Sequence, residues 1–403
     1  MKILGIETSC DETAASLVED GTKIISNVVA SSQELHIKTG GIIPEIAARE
    51  QLKCILPVIK EAINQASSGL AFSNKGGGKL NARRYQLNAK FIDAIAVTIG
   101  PGLIGSLLVG VETAKTLAYV WQKPIIPVNH ALAHIYANWL NPKPYPLNLM
   151  PSFPALTLIA SGGHTELLLM KGHGKFKRLG QTRDDAAGEC FDKVARLLGL
   201  GYPGGPAIAA EAAKYQISLR PEFRARANIK YQIKLPRPMI NTSDFDFSFS
   251  GLKTAVLREI KKLTAHNLQL TQDLRTIPGI ERKKFRELTL AKRECVSPVT
   301  DFLAHEVQEA ITDVLVEKTI RAATIYKVKT ILLAGGVAAN QRLREKMKLE
   351  IGPPAGGWKL EIKLFAPPKN LCTDNAAMIA SAAFFNFRPL PWQKITSHPD
   401  LEV

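Results

Sequence analysis

The sequence predicts an α/β protein of two lobes, and three observations lead to this fold class. A buried strand over 91–97 ends in the glycine-rich turn 98–102 and continues into a helix over 103–119, the order typical of nucleotide-binding α/β lobes. Two strand–turn–strand hairpins, at 3–18 and 155–170, have polar turns and indicate a duplicated architecture with facing phosphate loops. A proline-rich stretch at 141–154 is typical of a connector between such lobes.

The composition is that of an ordinary globular protein with a large positive charge. The chain has 403 residues, 46% of them hydrophobic, and a formal net charge of +16. Such a field favours polyanions, so nucleic acid is the first partner to consider, beside the alternative of a merely basic protein. We expect a soluble cytoplasmic protein without membrane contact, because no signal peptide opens the chain and no apolar run reaches the length of a membrane span. The five cysteines form no CxxC pair, which favours a reducing compartment over a disulfide framework.

The first half begins with a hairpin whose turn, Glu7–Thr13, is rich in hydroxyls and carboxylates. Such a turn presents groups to a phosphate or to a metal, or is only a polar turn. A helix is predicted from Pro44 to about Gln65, because apolar residues recur there with helical spacing. Residues 67–90 are rich in glycine and basic residues and predict an exposed loop.

Two histidines, His130 and His134, follow a short strand over 125–128. Four residues on a helix make about one turn, so both imidazoles project from the same face. Two neutral imidazoles that converge in this way bind a divalent transition metal. The alternative is a helix that carries two histidines without a ligand.

The second hairpin turn, Ser161–Thr165, contains Gly162 and Gly163. Glycine permits positive φ and close approach of the backbone to a ligand, although a hairpin turn alone also favours glycine. Further on, Asp192 is predicted as a cap or a ligand contact near the start of a helix that ends about Leu198. The glycine- and proline-rich break 199–206 predicts a loop whose backbone a ligand approaches.

Residues 219–293 are strongly basic and are interrupted by the alternating segment DFDFSFSGL at 244–252, which has the period of a strand. Basic groups interleaved with aromatic rings suit a phosphate backbone and stacked bases, while a solvated charged face is the plainer interpretation. The wider charge excess favours RNA or DNA.

The last part predicts a helix over 301–323, a buried strand over 330–333 and a small-residue turn into a helix from Gln341. In that turn Asn340 has an amide that suits the polar edge of a planar group. Asp374 precedes a small-residue helix over 376–385, and it either caps this helix or completes a His, His, Asp metal set.

Eight motifs occur in the order found in one known family. They are IETSCDET (6–13), HALAH (130–134), SGGHT (161–165), DDAAGECFDK (184–193), YPGGP (202–206), FSFSGLKT (247–254), AGGVAAN (334–340) and CTDNAAMIA (372–380). The chain therefore resembles the tRNA N6-adenosine threonylcarbamoyltransferase family, whose members were once thought to be glycoprotein endopeptidases. The resemblance covers nearly the whole chain except 67–90 and about 262–296, which look like insertions. The histidine of SGGHT is the bacterial or organellar form, which implies a bacterial cytoplasmic enzyme.

This resemblance implies a fold and a reaction. The fold is the two-lobed actin-like, sugar-kinase and Hsp70 ATPase architecture, with a ligand cleft between the lobes. The N-terminal lobe is expected at 1–128 plus about 376–403, and the C-terminal lobe, with the metal and nucleotide site, at 129–375. The reaction moves a threonylcarbamoyl group from threonylcarbamoyl-adenylate to the N6 amine of adenosine 37, in tRNAs that read codons beginning with A, and releases AMP.

The resemblance also implies site residues. His130, His134 and Asp374 are the expected ligands of one divalent metal, with iron(II) favoured and zinc as the alternative. The intermediate is expected to contact Ile159, Ala160, Ser161, Gly162, Gly163, Asp192, Gly205 and Asn340. Asp11 and Glu12 are expected to face the same cleft, and Asp11 is the general base to test first. Many members have an aspartate where this chain has Ala209.

The implied partners are tRNA, a paralogous pseudo-enzyme subunit and a small ATPase subunit, while a separate synthase supplies the intermediate. Three other functions compete. A zincin protease needs glutamate directly after the first histidine, where this chain has Ala131. A sugar kinase or Hsp70-like ATPase would share the fold without needing paired histidines. A catalytically silent tRNA-binding subunit would not need the metal set.

Overall fold

Two five-stranded mixed sheets form the frame of the protein. The structure, a computed structural model, describes residues 1–37, 41–71, 89–140, 150–218, 233–275, 296–352 and 362–402. The strands of the first sheet are β1 Lys2–Glu7, β2 Glu12–Glu19, β3 Lys23–Ser31, β4 Ala94–Gly100 and β5 Ile125–Asn129. Those of the second sheet are β6 Ala155–Ala160, β7 Thr165–Gly172, β8 Lys175–Gln181, β9 Thr330–Ala334 and β10 Lys363–Phe365.

The two sheets repeat one topology. The first has the order β3-β2-β1-β4-β5 and the second β8-β7-β6-β9-β10. In each, three consecutive strands pair antiparallel, and the first of the three pairs parallel with the fourth. The predicted duplication and the two-lobed α/β class are therefore confirmed.

The described helices cover the faces of these sheets. They are α1 Gln33–Ile37, α2 Pro44–Ala71, α3 Ile104–Trp121, α4 His130–Tyr136, α5 Ala187–Leu197, α6 Gly204–Ser218, α7 Ser250–Arg275, α8 Val296–Ile325, α9 Gln341–Ile351 and α10 Ala376–Phe385. Helices α2 and α3 pack on the first sheet, and α5 to α9 share a core with β6 and β9. No helix in the described part of the chain has the length and apolarity needed to cross a bilayer.

Helices α4 and α10 lie between the two sheets, in a core cluster that takes side chains from both. Strand β1 alternates accordingly: Ile3 belongs to this central cluster, whereas Leu4 and Ile6 face the cluster of α2 and α3. Helix α10 approaches β1 so closely that a Cβ on Gly5 would lie 2.2 Å from the carbonyl oxygen of Ala376. Because residue 5 is glycine, helix α10, which follows Asp374, can pack directly against the first sheet.

Several local predictions need correction. The alternating segment 244–252 is not a strand, since it makes only a single bridge, Thr182 with Phe247, before α7 begins at Ser250. Its period of two reflects the burial of Phe247 and Phe249 in an extended segment. Helix α6 begins at Gly204, inside the predicted loop 199–206, and the strands β3, β8 and β10 were not predicted.

The predicted insertions fall mostly outside the described residues. Helix α2 runs on to Ala71, so the first residues of the predicted loop 67–90 are helical, and 72–88 are not described. Of the basic stretch 219–293, residues 219–232 and 276–295 lie outside the description. In the described part, Arg237 is largely buried and pairs with Glu306 and Asp313 on α8, so this charge belongs to the fold.

Candidate metal centre and ligand cleft

The short helix α4 carries the two histidines of the candidate centre. Strand β5 leads into it, and Asn129 caps it by accepting a hydrogen bond from the Leu132 N–H at 3.0 Å. The rings of His130 and His134 lie 4.8 Å apart between centroids and are almost perpendicular, at 80°. The predicted helical spacing thus places both imidazoles on one face, as expected.

Asp374 comes from the other end of the chain to the same point. Its carboxylate oxygen Oδ1 lies 3.5 Å from Nε2 of His130 and 3.3 Å from Nε2 of His134. The helix cap is instead the next residue, Asn375, whose side chain accepts a hydrogen bond from the Met378 N–H at 3.1 Å. The capping alternative for Asp374 is therefore excluded, and its carboxylate faces the two rings.

The three side chains fit a divalent transition metal. Their ligand atoms all lie within 4.8 Å of one another. A tetrahedral ion with bonds of about 2.0–2.1 Å requires ligand atoms about 3.4 Å apart, close to the two distances from Asp374. Nitrogen and oxygen donors of this kind suit zinc or iron(II). That the three residues bind a metal remains a prediction.

The charges at this centre are strongly coupled. Burial alone would lower the pKa of His130, but the carboxylates of Glu7 and Asp374 raise it to about 9. Burial alone would raise the pKa of Asp374, but the two histidines lower it to about 2. The two carboxylates therefore favour a positive charge at this point of the centre.

The SGGHT turn faces this centre. The backbone of Ser161 and His164 closes the turn, with the Ser161 N–H donating to the His164 carbonyl at 2.8 Å. Burial, followed by the charges of His130 and His134, lowers the pKa of His164 to about 4. A Cβ on Gly162 or Gly163 would meet no atom within 4 Å, so the backbone of both lies open for a ligand.

The residues before this turn belong to the sheet. Ile159 and Ala160 are each 1% exposed, and β6 pairs them with β7 on one side, while Ile159 also faces Ala334 of β9. Any ligand contact of these two residues therefore involves the backbone, and their role stays a prediction. Ser161 is half-buried, and its hydroxyl accepts a hydrogen bond from the His164 N–H at 3.0 Å.

Asp192 and Gly205 lie together at the start of α6. The carboxylate of Asp192 accepts a hydrogen bond from the Gly204 N–H at 2.6 Å, and burial raises its pKa. This contact satisfies one of the N–H groups that have no partner within the helix at the N-terminal end of α6. A Cβ on Gly205 would meet no atom within 4 Å, whereas Ala209, one turn further on, supplies no carboxylate.

Asn340 is engaged at both ends of its amide. Its oxygen accepts from the Leu343 N–H at 3.1 Å as the cap of α9, and its Nδ2 donates to Gln308 at 3.1 Å. These bonds do not test the predicted contact with a planar ligand group, which stays a prediction. The preceding turn Gly336–Ala339 packs against α5, the helix of Asp192.

The acidic loop between β1 and β2 lies close to Asp374 and to Tyr202. Asp11 is buried, and Glu12 has a pKa raised to about 10 by burial and by the charges of Asp374 and Asp11. Burial and the charges of both Asp192 and Asp11 raise the pKa of Tyr202. Asp11, in the first hairpin turn, and Asp192, on helix α5, therefore both lie near Tyr202.

Sequence reasoning placed Glu7 and Ser9 in a turn that suits a metal, but it did not predict that they and Thr98 lie around His130. Glu7 ends β1, and its carboxylate lies 3.0 Å from Nδ1 of His130. Burial alone would raise its pKa, but His130 lowers it below its ordinary value. The available signal was an acidic residue directly after an apolar strand.

Comparison with known proteins gives one consistent result. The model of the tRNA N6-adenosine threonylcarbamoyltransferase family matches residues 23–381. The enzyme of that name from Thermomicrobium roseum is 47% identical over 403 residues, covering 100% of this chain and 95% of the relative. That from Dehalococcoides mccartyi is 46% identical over 387 residues, covering 96% and 94%. Among solved structures, the Acidaminococcus fermentans (R)-2-hydroxyglutaryl-CoA dehydratase component A has 13% identity and a TM-score of 0.45, covering 95% of this chain and 98% of its own.

Proposed function

The chain belongs to the tRNA N6-adenosine threonylcarbamoyltransferase family, and from this premise we propose its reaction in detail. It transfers the threonylcarbamoyl group of threonylcarbamoyl-adenylate to the N6 amine of adenosine 37, in tRNAs that read codons beginning with A. The new bond joins this nitrogen to the carbamoyl carbon, the bond from that carbon to the phosphate oxygen breaks, and AMP leaves.

The single observation that carries this proposal is the meeting of His130, His134 and Asp374 beside the open SGGHT turn. The turn offers backbone N–H groups at Gly162 and Gly163, where no side chain stands in the way of a phosphate. An acyl group held between this turn and the metal ligands would be oriented for attack by the amine. Because the adenylate is already activated, orientation of the two reactants is a large part of the remaining catalytic requirement.

The metal is proposed to be iron(II), with zinc as the alternative. Two histidines and one carboxylate form the facial set of many iron(II) sites, and the same donors bind zinc. When bound, the ion supplies Lewis-acid polarisation of the carbamoyl or carboxylate oxygen.

The proton of the attacking amine is assigned to the acidic loop between β1 and β2. Asp11 is buried beside Glu12, and Glu12, with a pKa of about 10, holds its proton at neutral pH. We assign Asp11 as the general base, because it is a buried carboxylate in the loop that lies close to Asp374. Asp192, Gly205 and Asn340 are proposed to line the ribose and adenine end.

Peptide hydrolysis lacks a residue that it needs. Ala131 follows His130 and is 1% exposed, so the position where a zincin has its glutamate is part of the core. A kinase or ATPase of the same architecture would leave the histidine pair without a role.

The tRNA is proposed to lie along the basic part of α7. Arg258 and Lys261 are exposed on this helix, and the chain as a whole carries a net charge of +16. Cationic groups on a helix contact phosphates without reading sequence. The basic triplet Arg282, Lys283 and Lys284, which we also assign to tRNA, lies outside the described residues.

The protein partners are proposed to be a paralogous pseudo-enzyme subunit and a small ATPase. Helix α2 exposes Leu52 and Leu56 to 65% and 60%, and α3 exposes Leu108. Apolar side chains on two adjacent helices suit a helical partner surface.

We assign residues 1–128 with about 376–403 to one lobe and 129–375 to the other, and we place the enzyme in the cytoplasm, where tRNA is modified.

The test is mass spectrometry of nucleosides after incubating the chain, its partner proteins, threonylcarbamoyl-adenylate and unmodified tRNA. We expect N6-threonylcarbamoyladenosine in the digest and AMP in equal amount. The double variant His130→Ala with His134→Ala is expected to lose both the metal and the product. Full activity of this folded variant would refute the metal assignment, while absence of product with the native chain would refute the proposed reaction.

A further inference from the structure

A second carboxylate, Glu7, lies behind the candidate metal ligands. Glu7 is 0% exposed and ends β1, whereas His130 begins α4 directly after β5. Strands β1, β4 and β5 are parallel neighbours, so their carboxyl ends meet at the same sheet edge. Topology therefore brings Glu7 under His130, although 123 residues separate them along the chain.

Each oxygen of the Glu7 carboxylate has a fixed partner. Oε2 lies 3.0 Å from Nδ1 of His130 and accepts a hydrogen bond of 2.5 Å from the hydroxyl of Thr98 in β4. Oε1 accepts a hydrogen bond of 2.5 Å from the Ser9 backbone N–H. A carboxylate held in this way cannot rotate, and full burial keeps it from contact with the substrate.

The two nitrogens of the His130 ring face different groups. Nδ1 faces Glu7, and Nε2 faces Asp374 at 3.5 Å. Since a carboxylate can only accept, Nδ1 must carry the hydrogen, and the lone pair of the neutral ring is then on Nε2. The hydroxyl of Ser9, at 3.2 Å from Nδ1, is the weaker competitor because it is uncharged and more distant.

The other histidine has no such support. Nδ1 of His134 is buried without a hydrogen-bond partner among the described residues. The centre is thus asymmetric, with one imidazole anchored by a charged acceptor and the other held by packing. Carboxylates behind metal-bound histidines fix the ring and raise its basicity, and their loss costs about 10–100-fold in metal affinity.

We infer that Glu7 is the positioning residue of the metal centre, which holds the His130 ring in one tautomer with Nε2 directed at the ion. This inference rests on the metal site of the proposed function. Glu7 acts through His130 and touches neither ion nor substrate, because it lies on the opposite side of the ring from Asp374.

The test compares the affinity of the full chain for Zn2+ and Co2+ in native, Glu7→Gln and Glu306→Gln proteins. Glutamine keeps the shape of residue 7 but removes its charge. Glu306 is a matched control because it is a largely buried, ion-paired carboxylate on α8. We expect chelator competition to show a loss of about 10–100-fold for Glu7→Gln and less than about twofold for Glu306→Gln. The Co2+ absorption bands should change only in the former.

A second measurement needs no variant. Long-range 1H–15N spectra of the native chain loaded with Zn2+, with 15N-labelled histidine, report which ring nitrogen of His130 carries the hydrogen. We expect the hydrogen on Nδ1 and the ion on Nε2. Unchanged affinity in folded Glu7→Gln, or an ion on Nδ1, would overturn the role of Glu7 and leave the metal site intact. Failure of the native chain to bind either metal would overturn both.

Discussion

Replacing Gly5 with alanine tests whether the packing of α10 on β1 positions Asp374. The new Cβ would lie 2.2 Å from the Ala376 carbonyl oxygen and 3.0 Å from the Ala380 nitrogen. Real Cβ atoms do not approach closer than 3.0 Å, so strand and helix must separate by 3.0 − 2.2 = 0.8 Å or more. Both opposing atoms are backbone, so no side-chain rotation relieves the clash.

The expected cost is about 1–3 kcal/mol of unfolding free energy, the range for overpacking a well-packed core. Because Asp374 lies two residues before Ala376, the same displacement moves its carboxylate away from the histidines. Metal–ligand distances stay within about 0.2 Å of their ordinary values in a well-formed site, so a displacement of this size weakens metal binding. We therefore expect Gly5→Ala to lower both the midpoint of urea unfolding and the affinity for Zn2+.

The assay is urea unfolding with and without Zn2+, combined with chelator competition. Gly251→Ala is the matched control, since a Cβ there meets no atom within 4 Å and the residue lies in the first turn of α7. It should leave both quantities unchanged or raise stability slightly. If Gly5→Ala has native stability and native Zn2+ affinity, the argument that α10 sets the position of Asp374 is refuted.

Three other predictions concern separate parts of the molecule. Burial alone would raise the pKa of Glu309, but Arg342 and Lys346 lower it from 4.5 to about 2. The contribution of the Glu309 ion pairs to the free energy of unfolding is therefore complete above pH 4.5 and is lost as the pH falls through about 2. We expect Glu309→Gln to cost about 1–2 kcal/mol near neutral pH, after allowance for solvent screening, and to flatten the acid side of a stability–pH curve; an unchanged curve would contradict this. Gly162→Ala should leave thermal stability unchanged, because its Cβ meets no atom within 4 Å, yet raise the KM for threonylcarbamoyl-adenylate about tenfold or more. An unaltered KM would show that the phosphate does not approach this backbone. Reversing the charges of Arg258 and Lys261 on α7 should weaken tRNA binding. The slope of the logarithm of the binding constant against the logarithm of the salt concentration should fall by about two, whereas Lys23→Glu on β3 should leave this slope unchanged. Equal slopes for both variants in filter binding would exclude α7 from the tRNA surface.

Local patterns were sufficient for most of the frame. The apolar runs of β1, β4, β6 and β9 and the helical spacing of α2 and α3 are properties of short windows. Each was predicted within a few residues, except the end of α2, which lies at Ala71 and not near Gln65. The pairing of His130 with His134 is also local, because helix geometry alone brings residues four apart to one face. The repetition of a polar hairpin in each half was enough to predict the duplicated sheets.

Local patterns misled where long-range contacts supply the hydrogen bonds. Segment 244–252 has the period of a strand, but apart from the bridge at Phe247 its backbone bonds go to side chains of α8 and of the 182–185 loop. The buried amine of Lys318, for instance, donates to the Asp244 carbonyl oxygen at 3.2 Å. A window of nine residues contains no information about such partners, so the alternation correctly indicated burial and wrongly indicated a sheet.

The sequence by itself determined the two-lobed α/β class, the histidine helix and the open glycine turn, because each depends on neighbours along the chain. Only the tertiary structure decided that Asn375, and not Asp374, caps α10, and that Glu7 stands behind His130. The physical reason is that three parallel strands end at one sheet edge, while α10 seats against Gly5 of the first of them. Residues 7, 130 and 374 meet through that packing.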